Sequence, residues 1–413
     1  MGKLDVECMR HLSKNDFRVL VAVEMGMKNH DLVPTEMIIK LAGLRHGGAH
    51  RFLSNIHRFK LVYHEQKHYD GYRLTYSGYD ILALHTLLNR GHVVALGRKI
   101  GTGKESDVYI AQNAEGGEVV VKFARLGRTS FRSIKRNRDY LVHRKSASWL
   151  YMSRLAALKE YAFMKALYEE GFPTPEPIDQ NRHVVCMSKV DGFPMAQVRA
   201  GQMADPLIQL GRSLDILIRL AKHGLIHCDL NEFNLMVSRQ GDVTVIDFPQ
   251  MVSTSHPNAK RYFDRDIGGL VKFFKMKQKI EVLPGQLPTF EGMLAAQAAQ
   301  EAAALAEAQA ADAKSEASRD PSMTKSELRA EERRTRESRL RLDQVVKASG
   351  AISTTMNDEL IRFLEASREE EEAAVAAGEF EVGNLSDEED EEEDDEEDEE
   401  DELEEGEGGE EEE

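Results

Sequence analysis

Apolar positions recur at helical spacing through residues 1–90 and then give way to shorter, β-branched runs. In KNDFRVLVAVEMGMKN, Phe17, Leu20, Val21 and Val23 share one face of a 3.6-residue repeat, which predicts a helix. TEMIIKLAG predicts a second helix, starting near Pro34 and stopping at Gly43. HGGAHRFLSNIHRFKLV predicts a third over roughly 47–59. VYHEQKHYDGYRLT reads as two strands turning about Asp70-Gly71, a strong short hairpin signal. SGYDILALHTLLNRG predicts a capped helix that ends at Gly91. From 91 to 290 strands and helices mix without internal repeats, in two lobes. Residues 295–320 are Ala-rich with Gln, Glu and Asp, and read as a helix or a low-complexity linker. Thr324 and Glu327 form a capping-box pattern before LRAEERRTRESRLRLDQVVKASG, which Gly350 can end, and MNDELIRFLEAS predicts another short amphipathic helix.

Helix, helix, helix, hairpin and helix in that order resemble a winged-helix domain, whose third helix and wing often touch nucleic acid. A docking module with solvated basic side chains fits the same spacing. The segment is rich in histidine, with His46, His50, His57, His64 and His68 close together. His46 and His50 can share a helix face, but zinc wants closer partners and usually Cys, so these are read as solvated or facing nucleic acid.

Charge divides the chain. Residues 381–413 hold 24 Asp and Glu and no Lys or Arg; taking these from the 72 acidic residues leaves 48 against 54 basic, a net of +6. A mildly basic body therefore carries an acidic tail, which is expected to be disordered, while the body is expected to meet an anionic partner. Ser386 stands directly before acidic residues in LSDEED, like the substrate of an acidophilic kinase. No stretch of eighteen apolar residues occurs, so no membrane span is expected. Asp5 and Glu7 argue against a signal peptide, and Asp5 and Val6 fit a myristoylation signal poorly. Cys8, Cys186 and Cys228 are far apart, with neither a disulfide framework nor zinc spacing, and fit a reducing compartment.

The chemistry-bearing pattern begins at GRKIGTGKESDVYIAQ. Gly101 and Gly103 precede a strand-like run, where the missing Cβ lets backbone approach phosphate and φ can be positive. A protein kinase would carry a third Gly at 106, where this chain has Ser106, and no Gly-Lys-Ser/Thr stands at Walker A distance. Lys122 lies in the β-branched run EVVVKFAR, sixteen residues after Ser106, and a Lys in a buried strand needs an anion. Glu160, between Leu158 and Tyr161 on a predicted helix, is the candidate partner. IHCDLNEFN then offers Asp229 as acceptor for the proton of an attacking hydroxyl or water, and Asn234 as a neutral oxygen for magnesium. Thirteen residues further on, Asp247 ends a strand in VTVIDFPQ, where a carboxylate suits a hard cation bridging phosphates. Together these spacings point to phosphoryl transfer or ATP hydrolysis. Cys228 replaces the Arg that in many protein kinases reads an activation-loop phosphate. After Asp247 there is little room for such a loop, and the helices that usually hold a peptide substrate are missing.

The chain resembles the RIO-type atypical protein kinases, and within them the winged-helix-bearing second subfamily. The resemblance rests on GTGKESDVY (101–109), Lys122, GFPTPEPI (171–178), IHCDLNEFN (226–234), IDFPQ (246–250) and HPNAKRYFDRDI (256–267), and covers about 1–290. It implies an α+β fold: a winged helix at 1–90 and a minimal bilobal kinase-like domain, with N lobe 91–190 and C lobe 191–290. An Ala-rich linker and charged helices (291–380) and the acidic disordered tail (381–413) follow. It implies ATP and magnesium, with Asp229 catalytic and Asn234 and Asp247 as metal ligands. ATP contacts would come from Gly101, Gly103, Lys104 and Ser106, from Lys122 paired with Glu160, and from backbone groups of Ser188 and Val190 beside the adenine. Asp247 would also form a phospho-aspartate, and Gly is frequent where this chain has Cys228.

The resemblance further implies an atypical serine/threonine kinase or ATPase of late cytoplasmic small-subunit maturation. That role implies pre-rRNA and ribosomal or assembly proteins as partners, a cytoplasmic location with shuttling through the nucleus, and a monomer off the ribosome. The basic insertion 125–145, with eight Lys and Arg against one Asp, is the candidate rRNA surface through Arg125, Arg128, Arg132, Lys135, Arg136 and Arg138. A loop closing over ATP phosphates is the other reading of that segment. A small-molecule phosphotransferase shares the H-x-D-x-x-x-x-N loop but would need neither winged helix nor basic insertion. A scaffold that holds ATP without turnover would not need Asp229. The tail helix at 324–348 could fold back on the cleft, and Leu340, Leu342, Val345 and Val346 read equally as an export signal or a helix face.

Overall fold

The computed structural model describes residues 4–44, 48–66, 69–126 and 149–303 (without 200, 202, 204, 283, 284, 286, 297, 300 and 301), together with Leu342 and Val346. Two units, 1–365 and 366–413, divide the chain, and the second lies wholly outside the described residues.

The N-terminal part is built from α1 (Lys14–Gly26), β1 (Val33–Pro34), α2 (Thr35–Ala42), α3 (Ala49–Arg58), β2 (Val62–Glu65), β3 (Gly71–Leu74) and α4 (Tyr76–Asn89). Ser13 and Asp16 start α1 with a reciprocal capping box. Gly43, left-handed at φ 58°, ends α2. Thr75 caps α4 by accepting the Gly78 N–H at 3.1 Å, and Gly78 is required because a Cβ there would lie 2.0 Å from the Leu61 carbonyl oxygen.

The hairpin differs from the expected two-residue turn. Its strands stop at 65 and resume at 71, and Gly71 lies in β3. Asp70 instead anchors the wing: its carboxylate accepts from the Thr35 hydroxyl and the Gln66 amide and pairs with His64 Nε2 at 2.6 Å. The Thr35 hydrogen bond and then His64 lower its pKa. β1, two residues long and unsignalled in the sequence, completes the order β1-β3-β2.

The next part is a five-stranded antiparallel sheet, order β4-β5-β6-β8-β7, of β4 (Ala95–Thr102), β5 (Ser106–Gln112), β6 (Glu118–Ala124), β7 (Pro177–Asn181) and β8 (Val184–Ser188). The helix α5 (Trp149–Glu169) packs against it. Alternation along β6 sends Val119, Val121 and Phe123 into one core with Ala83, Leu84 and Leu87 of α4. Val120 and Ala124 face the other way, into the large core shared with α5. Both faces of β6 are therefore covered, which is why it reads as an unbroken apolar run. Lys122 shares its face with Val120 and Ala124.

The last part holds β9 (Phe193–Pro194), α6 (Pro206–Lys222), β10 (Leu225–Ile226), β11 (Leu235–Val237), β12 (Val243–Val245), β13 (Val252–Ser253) and α7 (Ala259–Gln278). Small sheets β9-β11-β12 and β10-β13 carry the two chemistry-bearing loops. Packing runs past the expected edge at 290: Phe290 and Met293 are buried in the large core, and Phe290 meets Phe263 of α7 at 5.6 Å. Leu342 and Val346 are buried in the same core, and the Leu342 N–H donates to the His223 carbonyl. The rest of 324–348 and the acidic tail lie outside the described residues.

Candidate active site

Lys122 projects from β6 into a pair of carboxylates. Its Nζ donates to Glu160 Oε1 on α5 at 2.7 Å and to Asp247 Oδ1 at 2.6 Å. Burial works against the ammonium charge, but Asp247 and then Glu160 outweigh it and hold the pKa above the ordinary lysine value. Burial raises the Glu160 carboxyl; Lys122 opposes that rise and Asp247 adds to it. The site therefore keeps a cation poised over the cleft, held from two sides.

The loop between β10 and β11 orients Asp229. Asn234 Nδ2 donates to the Asp229 carbonyl at 2.9 Å and to its Oδ2 at 3.0 Å, while Asn231 Nδ2 donates to Oδ1 at 3.1 Å. The Ile246 N–H donates to the Asn234 carbonyl, which brings Asp247 beside the loop. From behind, α7 grips Cys228: Asp266 accepts its N–H at 2.9 Å and Arg265 donates to its carbonyl. Cys228 and Asp247 are both left-handed, at φ 66° and 72°, among only five non-glycine residues with positive φ in the described chain. Such backbone is costly for an L-residue and persists only where its surroundings hold it. His227 is buried with its ring edge toward Phe248.

A hard divalent cation fits these residues. Asp247 supplies a carboxylate, and Asn234, whose amide nitrogen is committed to Asp229, leaves its Oδ1 as donor. Among the described residues no group of three or more His, Cys, Asp or Glu could hold a metal alone. A cation here would complete its shell with phosphate oxygens and water, as magnesium does.

Gly101, within β4, and Gly103 lead into the β4–β5 turn, with Lys104 exposed at its tip and Ser106 opening β5. Neither glycine has positive φ, and a Cβ on either would meet nothing nearer than 3.6 Å. The chain's own packing thus does not demand glycine at these positions, contrary to the backbone argument; what remains is room for a ligand to approach. Beside the expected adenine position, the Ser188 N–H is committed to the Glu176 carbonyl at 2.9 Å, so a donor to the base would have to be Val190.

One candidate residue is corrected. Arg125 is not an RNA-facing residue: it is 4% exposed, with its guanidinium bidentate on Asp80 at 2.6 and 2.7 Å and its Nε on Asp107 at 3.0 Å. Two buried carboxylates took it out of the basic insertion. Arg128, Arg132, Lys135, Arg136 and Arg138 lie outside the described residues. Sequence reasoning missed Asn231, Arg265 and Asp266. The two from α7 were visible only as charges inside HPNAKRYFDRDI, with nothing to say which loop they would meet.

A glycine turn, a Lys–Glu pair, an Asp–Asn loop and a strand-ending Asp on two lobes define a kinase-like phosphotransfer fold. The family model described as "RIO domain" matches residues 107–284, and that described as "Rio2, N-terminal" matches residues 9–90. The serine/threonine-protein kinase rio2 of Schizosaccharomyces pombe is 50% identical over 293 residues, covering 70% of this chain and 83% of that protein. The rio2 kinase of Dictyostelium discoideum is 55% identical over 275 residues, 67% of this chain; the match spans only 52% of that longer protein. A crystal structure of the Rio2 kinase-ADP/Mg2+-phosphoaspartate complex from Chaetomium thermophilum is similar at TM-score 0.70 and 42% identity, covering 89% of this chain and 100% of that one. The chain belongs to the Rio2 family of RIO-type serine/threonine-protein kinases.

Proposed function

We propose that this chain uses ATP and magnesium to phosphorylate its own Asp247, and that hydrolysis of the acyl phosphate drives a conformational cycle in maturation of the small ribosomal subunit. The observation that carries the catalytic reading is Lys122 held between Glu160 and Asp247. ATP phosphates would lie against the 101–106 turn, with Lys104, Ser106 and Lys122 as their polar partners. Magnesium held by Asp247 and Asn234 would neutralise charge on the transferring phosphoryl group. One oxygen of Asp247 attacks the γ-phosphorus; the bond to the bridging oxygen breaks and ADP leaves with that electron pair. Water then attacks the acyl phosphate and gives its proton to Asp229, whose carboxylate Asn231 and Asn234 orient. Inorganic phosphate leaves and the Asp247 carboxylate is restored. The phosphoaspartate named for the Chaetomium relative supports this route, as does the 32% exposure of the Asp247 side chain.

The ribosomal part of the proposal draws on the basic body, the winged helix and the basic insertion, all suited to rRNA backbone. Its partners would be pre-rRNA and ribosomal or assembly proteins of the small subunit, met by a monomer in the cytoplasm that shuttles through the nucleus. No described helix is long and apolar enough to cross a membrane. The test is a trap with γ-labelled ATP and magnesium on the purified protein. Label that hydroxylamine releases and that Asp247→Ala abolishes is the expected result. Hydroxylamine-stable label on Ser or Thr would replace the acyl phosphate with conventional kinase chemistry, and bound ATP with no label would leave a scaffold.

A further inference from the structure

Arg125 touches three parts of the molecule at once. Its backbone N–H donates to the Glu105 carbonyl in the glycine turn at 2.5 Å. Its Nε–H donates to Asp107, just past that turn, and its two terminal nitrogens close a fork on Asp80 of α4, in the winged helix. It follows β6, three residues after Lys122. The polar partners are sealed: Arg125, Asp80 and Asp107 are 4%, 3% and 2% exposed, and His183, fully buried beside the guanidinium, shares the Asp80 Oδ1 with it at 2.7 Å.

A bidentate fork fixes the plane of a guanidinium, and so fixes where its Nε–H points. If α4 shifts by about an ångström, either the fork on Asp80 or the bond to Asp107 fails, since hydrogen bonds fall off steeply with distance and angle. In a buried site neither loss is made good by water. The N-terminal end of α4 is tied in turn to the α3–β2 connection: the Thr75 hydroxyl shares its proton between the carbonyls of Lys60 and Leu61, at 2.7 and 3.0 Å. A continuous set of bonds thus runs from the α3 and wing surface to the turn expected to hold ATP phosphates.

We propose that Arg125 is a positioning residue that couples the winged helix to the phosphate turn, so that the hold of α4 on Arg125 sets nucleotide affinity. The inference rests on the nucleotide reading of that turn given above. A ligand that moves the winged helix changes ATP affinity, and by linkage nucleotide changes affinity at the winged helix by the same factor.

The test uses the full chain and Mg-ADP as probe, with calorimetric titration and amide hydrogen exchange of the nucleotide-free protein over residues 102–107. Asp80→Asn keeps the size of the side chain but removes its charge and one accepting arm of the fork, and Arg125→Lys keeps the charge but loses the fork. Each is expected to weaken Mg-ADP binding by about fivefold or more and to speed exchange in the turn. Arg90→Ala breaks the exposed pair with Asp179, on another part of the same seam, and is expected to change neither readout. Unchanged affinity and exchange in a folded Asp80→Asn or Arg125→Lys protein, with only the melting temperature lowered, would make Arg125 a static strut and overturn the coupling. Wild-type protein that binds no Mg-ADP would overturn the nucleotide reading, and the coupling with it. Should Asp80→Asn not fold, Arg125→Lys alone decides.

Discussion

Lys122 and Arg125 lie three residues apart, on β6 and just past its end, and each stands between two carboxylates. They differ in what closes the site. Around Arg125 both carboxylates are 3–4% exposed, so the network is complete and dry. Around Lys122 one partner, Glu160, is buried at 4%, while Asp247 is 32% exposed. A closed pair holds structure; a pair with one open side can trade a partner for a phosphate. Two cations three residues apart, one on β6 and one just past its end, thus divide between chemistry and architecture according to how much water reaches the second carboxylate.

The first way to break that division is to remove each cation in turn. Lys122→Ala is expected to lower the rate of single-turnover phosphoryl transfer by roughly 10²–10³, the scale for losing one preorganised charge contact to the transition state. Its urea midpoint should fall less than that of Arg125→Ala, because Asp247 returns to water and only Glu160 stays buried without its cation. Arg125→Ala leaves buried Asp80 without its cation and Asp107 with only the exposed Lys99 at 3.4 Å, and should cost about 3–5 kcal/mol of stability. Urea denaturation of both variants reads the contrast directly, and equal losses would erase it.

Much of this was open to reading in the chain itself. Lys122 and Asp247 stood out within or at the end of β-branched runs, and Asp229 and Asn234 by their spacing in IHCDLNEFN. Glu160 followed from the need of a buried lysine for an anion. Arg125 was misread because its partners lie 45 and 18 residues away, and nothing local separates a buried arginine from the basic run it heads. The same holds for Asp266, 38 residues beyond the loop residue it grips, and for β1, whose two residues are too few for any period. The wing was legible as a hairpin but not in its turn, since Asp70 serves a tertiary contact to Thr35 rather than a tight reversal.

The Arg125 seam should also carry a smaller, pH-dependent signature through His183. Burial lowers the pKa of His183 below its ordinary 6.5, outweighing its bond to Asp80. The folded protein then binds fewer protons at this ring than the unfolded chain. The stability His183 contributes is present above pH 6.5 and is lost as pH falls through the lower folded pKa. The slope from one such group is at most about 1.4 kcal/mol per pH unit. Denaturation midpoints from pH 7.5 down to 5 should therefore fall less steeply in His183→Gln than in the wild type. Parallel curves would place the acid sensitivity elsewhere.

The smallest effect belongs to Cys228, where strain rather than charge marks the site. Its φ of 66° is held by Asp266 on the N–H side and Arg265 on the carbonyl side. Left-handed backbone costs an L-residue about 1–2 kcal/mol, and glycine escapes that cost while losing more freedom on folding. Cys228→Gly also gives up a buried thiol, so on its own its stability change is a sum of opposed terms. Comparison with Cys228→Ala separates them, since alanine keeps the strain and loses only the sulfur. Glycine should be the more stable of the two by about 1 kcal/mol in urea denaturation. An alanine variant as stable as the glycine one would mean that α7 does not hold the loop in this conformation. The orientation of Asp229, the next residue, would then need a support other than Asp266 and Arg265.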